Sequence, residues 1–215
     1  MKRTFKPMVS LIQRFLQTVV IISPVGTTLA LTPGLHQATT AQITPDSTLA
    51  TTVTSADNLN FVIDGGEICC TQADQHSDNN LFHSFEEFSI PSNGSAIFNN
   101  DTSIETIFSR VTGTNISDID GLIQANSTAA FFLINPNGII FGSNARLNVE
   151  GSFLASTVES ILFNNNLDFT AVDPGPAPLL RLDTPIGLQM GTTPGDIQLR
   201  SLHDIWVSSN NLISV

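Results

Sequence analysis

Short apolar runs separated by polar turns make up most of this sequence. The longest alternating stretch covers residues 145–155, where every second residue is small or apolar and most of the others are polar. A period of two predicts a half-buried strand, or two strands divided at Gly151. Comparable runs recur at intervals of roughly 8–12 residues, which is typical of an all-β sandwich, barrel or solenoid.

One turn has a clear local signal. The apolar residues 131–134 are followed by Asn-Pro-Asn-Gly at residues 135–138 and then by the apolar residues 139–141. Proline fixes φ at about −65°, and Asn-Gly tolerates positive φ, so we predict a turn between two buried strands. None of its residues is nucleophilic, acidic or basic, which favours a structural or recognition role over catalysis.

Phe82, Phe85 and Phe88 follow one another at intervals of three residues, the one convincing helical spacing in the chain. Because it covers barely two turns, we predict a short helix or a corner that caps the end of a core. An ordinary core cluster is an equal alternative. The polar residues 67–80 before it are predicted to form a surface loop, and Gly65 and Gly66 to end a strand.

The first 41 residues combine basic and apolar character. Four basic residues precede an apolar stretch, residues 15–31, that Pro24 interrupts. The stretch is shorter than the roughly 20 apolar residues of a membrane-spanning helix, and small residues follow it up to Ala41. We predict a cleaved signal peptide over residues 1–41, with a permanent anchor or an uncleaved arm as alternatives. Residues 42–57, rich in Ser and Thr, are predicted to be a flexible leader.

Charge divides the chain into two parts. The formal net charge is −11 at pH 7, yet residues 1–41 hold four of the eight basic residues and no acidic one. The remaining part has four Arg and all 19 acidic residues. Repulsion between this acidic part and phosphate argues against nucleic-acid binding. High net charge also favours solubility, which is the plainer explanation of it.

Cys69 and Cys70 are the two cysteines, and they are adjacent. Such a pair closes no long loop, so no crosslink prevents the chain from being threaded in an extended form. Many exported bacterial proteins simply lack disulfides, which is the simpler explanation. Adjacent thiolates lack the spacing of a metal site, and His76, Asp78 and His83 match no metal-binding template. We therefore expect no metal and no cofactor.

Six segments occur in a fixed order: residues 81–85 (Leu-Phe-His-Ser-Phe), 98–100 (Phe-Asn-Asn), 109–113 (Ser-Arg-Val-Thr-Gly), 119–123 (Ile-Asp-Gly-Leu-Ile), 132–142 and 151–156. Together they resemble the N-terminal secretion domain of filamentous haemagglutinin-like exoproteins, the exported partners of two-partner secretion systems, in a cyanobacterial form. The resemblance covers about residues 58–200. Residues 201–215 are then expected to begin a further, truncated solenoid segment.

The resemblance implies a fold and a partner. The fold would be a right-handed parallel β-helix, a single-stranded solenoid of pectin-lyase-like fold with an N-terminal cap and small extra β-elements. The partner would be an outer-membrane β-barrel transporter with periplasmic docking domains, and the product would be secreted or held at the cell surface. The family's secretion motif maps onto Asn135, Pro136, Asn137, Gly138 and Ile139, whereas its Asn-Pro-Asn-Leu motif has no match.

The family also implies an adhesin or haemagglutinin-type role with a host or cell-surface receptor. Members usually continue into a long repetitive passenger that is missing from this sequence, which leaves adhesion open. One alternative is a free-standing surface adhesin that binds carbohydrate or cells.

Another alternative is a β-helix enzyme that degrades polysaccharides, which needs carboxylates in a groove. Asp118 and Asp120 would share a face if they lay in one strand, but solvated or turn-capping roles are the simpler interpretation. Arg110 is expected to pair with an acidic residue such as Asp118 or Asp120. We therefore predict that the chain is not an enzyme.

Overall fold

The computed structural model describes residues 42–69, 79–174, 185–200 and 213–214. In chain order the strands are β1 (Gln42–Pro45), β2 (Thr51–Ser55), β3 (Asn60–Gly65), β4 (Glu67–Cys69), β5 (Asn80–Ser89), β6 (Ser95–Phe98), β7 (Thr106–Val111), β8 (Ser117–Ile119), β9 (Leu122–Ala125), β10 (Ala130–Ile134), β11 (Ile139–Phe141), β12 (Arg146–Asn148), β13 (Phe153–Ser156), β14 (Ser160–Phe163), β15 (Leu167–Thr170), β16 (Pro185–Gln189), β17 (Ile197–Leu199) and β18 (Ile213–Ser214). A short 3-10 helix, Asn164–Asn166, lies between β14 and β15. In the described ranges no helix is long and apolar enough to span a membrane.

The strands form four sheets, and three of them consist mainly of parallel strands. Sheet 1 contains β1, β4, β5, β7, β10, β13 and β18, sheet 2 contains β8, β11 and β17, and sheet 3 contains β2, β3, β6, β9 and β12. The chain passes from sheet 1 through sheet 2 to sheet 3 along β7, β8 and β9, and repeats this circuit along β10, β11 and β12. The prediction of an all-β fold is confirmed, and the repeated circuit is consistent with a fold of β-helix type.

Parallel register in sheet 1 aligns apolar side chains into two rows, one on each face. The inner row is Leu81, Ile107, Phe131 and Phe153, and the outer row is Phe82, Phe108, Phe132 and Leu154. Members of the inner row belong to the main core. Because each fully buried Phe or Leu stabilises the fold by about 1.5–3 kcal/mol, the buried members of these rows help to hold neighbouring strands together. Phe132 and Leu154 are half-buried and contribute less.

Sheet 4 (β14, β15 and β16) is antiparallel and supplies the residues that pack against the outer row. The ring centres of Phe163 and Phe169 lie 6.1 and 5.1 Å from that of Phe82. These residues form a second apolar cluster, separate from the main core. Sheet 1 is therefore buried on both faces here, which explains why consecutive residues such as Leu81-Phe82, Ile107-Phe108 and Phe131-Phe132 are apolar.

Residues 42–57 do not form the flexible leader that we predicted. They contain β1, which pairs antiparallel with β5, and β2, which pairs antiparallel with β3. Ile43 and Leu49 are buried. Without this segment, β3 and β5 would have unpaired backbone N–H and C=O groups along one edge. β1 and β2 pair with these groups through backbone hydrogen bonds, which require few apolar residues. Residues 67–69 likewise form β4 on the edge of β5 rather than a surface loop.

The predicted helix at Phe82, Phe85 and Phe88 is wrong, because all three lie in strand β5. The register between β1 and β5 shifts at Glu86, where two residues of β5 face one residue of β1. Such a bulge reverses the alternation of side chains along the strand. Phe85 and Phe88 therefore reach the same core at a spacing of three, whereas Phe82 lies in the outer row.

Other sequence predictions agree with the structure. The turn at residues 135–138 joins β10 to β11, the alternating stretch divides at Gly151 into β12 and β13, and β16 and β17 occupy predicted strands. Several predictions lie outside the described residues: those for residues 1–41, Cys70, His76, Asp78, most of the Pro-rich loop after Pro174, and the strands near residues 180–182 and 205–207.

Candidate functional site

The turn at residues 135–138, named here the Asn-Pro-Asn-Gly turn, is closed by its own backbone. The N–H of Gly138 donates to the carbonyl of Asn135 at 3.1 Å. Gly138 has φ +129°, a value that side chains of L-amino acids rarely permit. Ile139, the last residue of the motif, is fully buried at the start of β11 and pairs with Ser117 on β8. Glycine is therefore required at Gly138 by backbone conformation.

The side chain of Asn135 is fully buried, and its polar atoms are hydrogen-bonded. Nδ2 donates to the carbonyl of Asn115 at 3.1 Å and to Oγ of Ser117 at 2.9 Å. Oδ1 accepts from the backbone N–H of Asn137 at 3.0 Å and from its Nδ2 at 3.1 Å. Both donor hydrogens and the acceptor of a buried amide are thus satisfied, as burial of polar groups requires.

Neighbouring segments hold the Asn-Pro-Asn-Gly turn from both sides. Nδ2 of Asn137 donates to the carbonyl of Gly113 at 2.7 Å, in the corner that follows β7. The N–H of Gly195, in the segment before β17, donates to the carbonyl of Pro136 at 2.8 Å. A Cβ added to Gly195 would collide with the backbone of Asn137. The turn therefore packs between the turn that follows β7 and the segment that precedes β17.

The Asn-Pro-Asn-Gly turn offers little chemistry to a substrate. Asn135 and Gly138 are buried, whereas Asn137 is exposed and Pro136 is half-buried. No group in it is a nucleophile, an acid or a base at neutral pH. What the turn presents to solvent is the shape of Pro136 and Asn137, so it suits holding the fold or being recognised by another protein.

The phenylalanines singled out from the sequence fall into two clusters. Ring centres of Phe85 and Phe88 lie 5.1 Å apart, and they are 6.3 and 6.2 Å from that of Phe98. Phe88 pairs with Ile43 of β1, the antiparallel strand at the edge of sheet 1. Phe82 packs instead against Phe108 at 5.0 Å in the outer cluster.

Arg110 is a fully buried cation whose environment the sequence did not reveal. Its Nε donates to Oγ of Ser84 at 2.7 Å, Nη1 to the carbonyl of Thr170 at 2.7 Å, and Nη2 to Oγ1 of Thr48 at 2.9 Å. The guanidinium also lies over the ring of Phe169. Arg110 therefore ties together β5, β15 and the segment after β1.

Asp46 provides negative charge near this cation through shared hydroxyl groups. Its Oδ2 accepts from Oγ of Ser84 at 2.6 Å and from Oγ1 of Thr112 at 2.8 Å. Burial alone would raise the pKa of Asp46, but hydrogen bonds from Ser84, Thr48 and Thr112 hold it below its usual value. Burial lowers the pKa of Arg110 to about 10, so it remains charged at neutral pH.

The expectation that Arg110 pairs with Asp118 or Asp120 is therefore wrong. The acidic residues that stabilise its charge are Asp46 and Asp168. Arg110 faces outward on sheet 1, in line with Ser84 and Ile134, and its partners come from segments distant in sequence. A single Arg in an apolar strand gave no indication of which segments would cover it.

Asp118 and Asp120 do not share the face of one strand, as the enzyme alternative needed. β8 ends at Ile119, and Asp120 lies in the corner that follows. Both carboxylate oxygens of Asp120 are engaged: Oδ1 accepts from the N–H of Asn144 at 2.8 Å and Oδ2 from its Nδ2 at 3.0 Å. Asp120 thus links the turn after β8 to the turn between β11 and β12.

His83, part of the weak metal candidate, is buried in the interior. Its Nδ1 lies 3.3 Å from Oγ1 of Thr51, and its ring packs on Phe85 and Phe98. Burial lowers the pKa of His83 to about 4, against an opposing effect of Asp64. Among the described residues, no group of three His, Cys, Asp or Glu side chains is arranged to hold a metal ion.

Comparison with known proteins adds a family and one relative. The family model of the TPS secretion domain matches residues 41–210, which include the Asn-Pro-Asn-Gly turn and the segment predicted as a leader. The heme/hemopexin-binding protein of Haemophilus influenzae is 35% identical over 97 residues, which are 45% of this chain and 9% of that protein. The chain thus matches only a small part of the relative's length. The resemblance drawn from the ordered segments is confirmed.

Proposed function

The chain belongs to the family of TPS secretion domains, and from this membership we propose that it directs export of its exoprotein through an outer-membrane β-barrel transporter with periplasmic docking domains. The observation that carries the proposal is the family match over residues 41–210, which includes strands β1 to β17 and the Asn-Pro-Asn-Gly turn. In this proposal residues 1–41 first serve as a cleaved signal peptide, and the product reaches the cell surface or the medium. No catalytic step and no cofactor is assigned to it.

The fold proposed for the domain is a right-handed parallel β-helix with an N-terminal cap. Three sheets visited in a repeating order support the β-helix. β1, β2 and β4 support the cap, since each pairs antiparallel with β3 or β5, the strands that precede the circuit of β7, β8 and β9. Phe85 and Phe88 are then the apolar filling beneath β1, and sheet 4 is the extra β-element.

For the Asn-Pro-Asn-Gly turn we propose a role in holding the fold, with direct contact to the transporter as the alternative. The side chain of Asn135 makes all its hydrogen bonds to groups within the protein. The positive φ at position 138 requires glycine there. Both features fix the conformation of the turn and its packing against the neighbouring segment at Asn115 and Ser117. Recognition would depend instead on Pro136 and Asn137, which are the accessible part of the turn.

A secretion assay with a matched pair of double variants tests the proposal. Asn137→Ala with Gly138→Ala should lower the secreted fraction while the signal peptide is still removed. Asn148→Ala with Gly187→Ala changes the same residue types at positions that tolerate it, and should be secreted normally. Asn148 is exposed, and a Cβ at Gly187 would meet only Cδ1 of Leu162, at an ordinary contact distance of 3.7 Å. Normal secretion of the first variant would contradict the proposed role of the turn.

A binding assay on the same variants separates fold from recognition. If the turn holds the fold, the first double variant unfolds at lower denaturant concentration, yet its unfolded chain binds the isolated periplasmic docking domains as well as wild type does. Loss of docking-domain binding with unchanged stability would favour recognition instead.

Adhesion remains a second candidate function for the exported product. The matched relative is named as a heme/hemopexin-binding protein, which supports a ligand-binding role for an exoprotein with this type of domain. The purified chain should then bind cells, glycans, heme or hemopexin at a saturable site. Absence of binding to all four would leave export as the role of this domain.

A further inference from the structure

The sequence contains two Asn-Gly pairs, Asn93-Gly94 and Asn137-Gly138, and the fold treats them differently. Asn followed by Gly is prone to deamidation because glycine, which has no side chain, lets its backbone nitrogen approach the Asn side-chain carbon closely. We propose that Asn137 is a deamidation site that the folded Asn-Pro-Asn-Gly turn shields, and that Asn93 is the one of the two that reacts in the folded domain.

The reaction needs only water. The backbone nitrogen of the glycine attacks Cγ of the Asn, a new N–C bond forms, and the side-chain amide leaves as ammonia with the proton of the glycine nitrogen. Water then opens the cyclic imide at either carbonyl and gives Asp or isoaspartate. The net change replaces an amide by a carboxylic acid, and no electrons are transferred.

Attack at Asn137 requires its side chain to rotate toward the nitrogen of Gly138, and the fold opposes this rotation. Nδ2 of Asn137 is held by the carbonyl of Gly113 at 2.7 Å and by Oδ1 of Asn135 at 3.1 Å. The N–H of Gly138 is engaged with the carbonyl of Asn135. Backbone atoms of Asp196 pack against Gly138. Reaction therefore requires local opening of the turn.

Asn93 has a comparable turn without the side-chain restraint. The N–H of Gly94 donates to the carbonyl of Pro91 at 2.9 Å, as the N–H of Gly138 does in its own turn. Asn93 is exposed, and within the described part of the chain no residue hydrogen-bonds its side-chain amide. The two sites thus differ in whether the amide is held in place, and also in backbone conformation, since Asn93 has φ +63° in one turn and Gly138 has φ +129° in the other.

Reaction at Asn137 would damage the turn. A carboxylate at this position would face the carbonyl of Gly113 and Oδ1 of Asn135, and both are hydrogen-bond acceptors. Two donated bonds would be replaced by repulsion. Isoaspartate would in addition lengthen the backbone where Gly195 packs against it. The integrity of the turn therefore depends on how long the chain stays unfolded before it is shielded.

Peptide mass spectrometry of the whole protein tests this chemistry without reference to secretion. Purified protein is kept at mildly alkaline pH, either folded or in denaturant, and deamidation is followed at both sites. We expect Asn93 to react in both states and Asn137 to react at least about tenfold more slowly in the folded protein, which corresponds to an opening free energy of about 1.4 kcal/mol or more. Equal rates at Asn137 in the two states, or a folded-state rate at Asn93 as low as that at Asn137, would overturn the proposal.

A pair of aspartate variants tests the consequence of the reaction. Asn137→Asp should lower the denaturant midpoint, and Asn93→Asp should leave it nearly unchanged. Should Asn137→Asp fail to fold, the strong effect of the charge is already evident, and the comparison of wild-type rates still decides whether the turn shields the site. An Asn137→Asp protein as stable as the Asn93→Asp protein would overturn the claimed damage.

Discussion

The guanidinium carbon of Arg110 lies 4.5 Å from the centre of the Phe169 ring, which links β7 of sheet 1 to β15 of sheet 4. Burial of a cation is costly unless its hydrogen-bond donors are satisfied and its charge is compensated. Here Ser84, Thr48 and Thr170 accept from the guanidinium, and Asp46 shares the hydroxyl of Ser84. Arg110 therefore joins sheet 1 both to the N-terminal segment, through Thr48, and to sheet 4, through Thr170 and Phe169.

Replacing Arg110 by Lys should lower the free energy of unfolding by about 2–4 kcal/mol, because one ammonium cannot satisfy three partners fixed by a planar fork. Chemical denaturation of the purified protein measures this loss. Arg146→Lys, at an exposed position on β12, is the matched control and should change stability by no more than about 0.5 kcal/mol. Equal effects of the two changes would contradict the structural role of Arg110.

The buried amide of Asn135 predicts a strong effect of an almost isosteric change. Asn135→Asp removes the donor that serves Asn115 and Ser117, so we expect a loss of about 2–4 kcal/mol at neutral pH. Asn148→Asp makes the same chemical change on the exposed face of β12 and should be nearly neutral. Urea midpoints of the two variants provide the comparison, and similar midpoints would show that the buried hydrogen bonds contribute little.

Many of the strands and the turn between β10 and β11 were predictable from local sequence patterns, because these features depend on residues that are close together in the chain. The Asn-Pro-Asn-Gly turn followed from the backbone preferences of Pro136 and Gly138, and the alternation around Gly151 gave the correct inward face. The segment with Phe85 and Phe88 was misassigned because a bulge at Glu86 imitates helical spacing. No composition rule distinguishes a three-residue spacing caused by a bulge from one caused by a helix.

Long-range contacts were the part that the sequence did not reveal. Thr48 and Asp46 looked like members of a flexible leader, yet they contribute to the environment of Arg110, far along the chain. Polar residues that pair through hydroxyl groups have no periodic pattern to reveal them. Asp120 likewise gained its role from Asn144 in the next circuit, which only the stacking of corners brings close.

Alanine substitutions at Gly138 and Gly187 measure how much stability depends on glycine in the turn, because only Gly138 of the two has a positive φ. Gly138→Ala places a side chain at φ +129° and 3.1 Å from the carbonyl oxygen of Asp196, so we expect a loss of about 1–3 kcal/mol. Gly187→Ala meets only Cδ1 of Leu162, at 3.7 Å, and should leave stability unchanged or raise it by up to about 1 kcal/mol. Thermal or denaturant unfolding decides, and a neutral Gly138→Ala would exclude backbone strain at this position.

His83 predicts how stability depends on pH. Its pKa is about 4 in the folded protein and 6.5 in the absence of the fold, so between these values the unfolded chain binds more protons. The free energy of unfolding should therefore be fully maintained above about pH 6.5 and fall by about 3 kcal/mol as the pH drops to about 4. The pKa of Asp46 lies below 3.8, so its contribution is lost mainly at still lower pH.

The His83→Gln variant isolates this contribution, because Gln retains a polar side chain but does not titrate. Wild type and variant are unfolded in denaturant at a series of pH values, and the difference between them removes the titration of groups that both proteins share. We expect the variant to be less sensitive to pH than wild type between about pH 6.5 and pH 4, by about 3 kcal/mol over the whole window. Parallel curves would mean that His83 becomes charged without cost, which its burial beside Phe85 and Phe98 argues against.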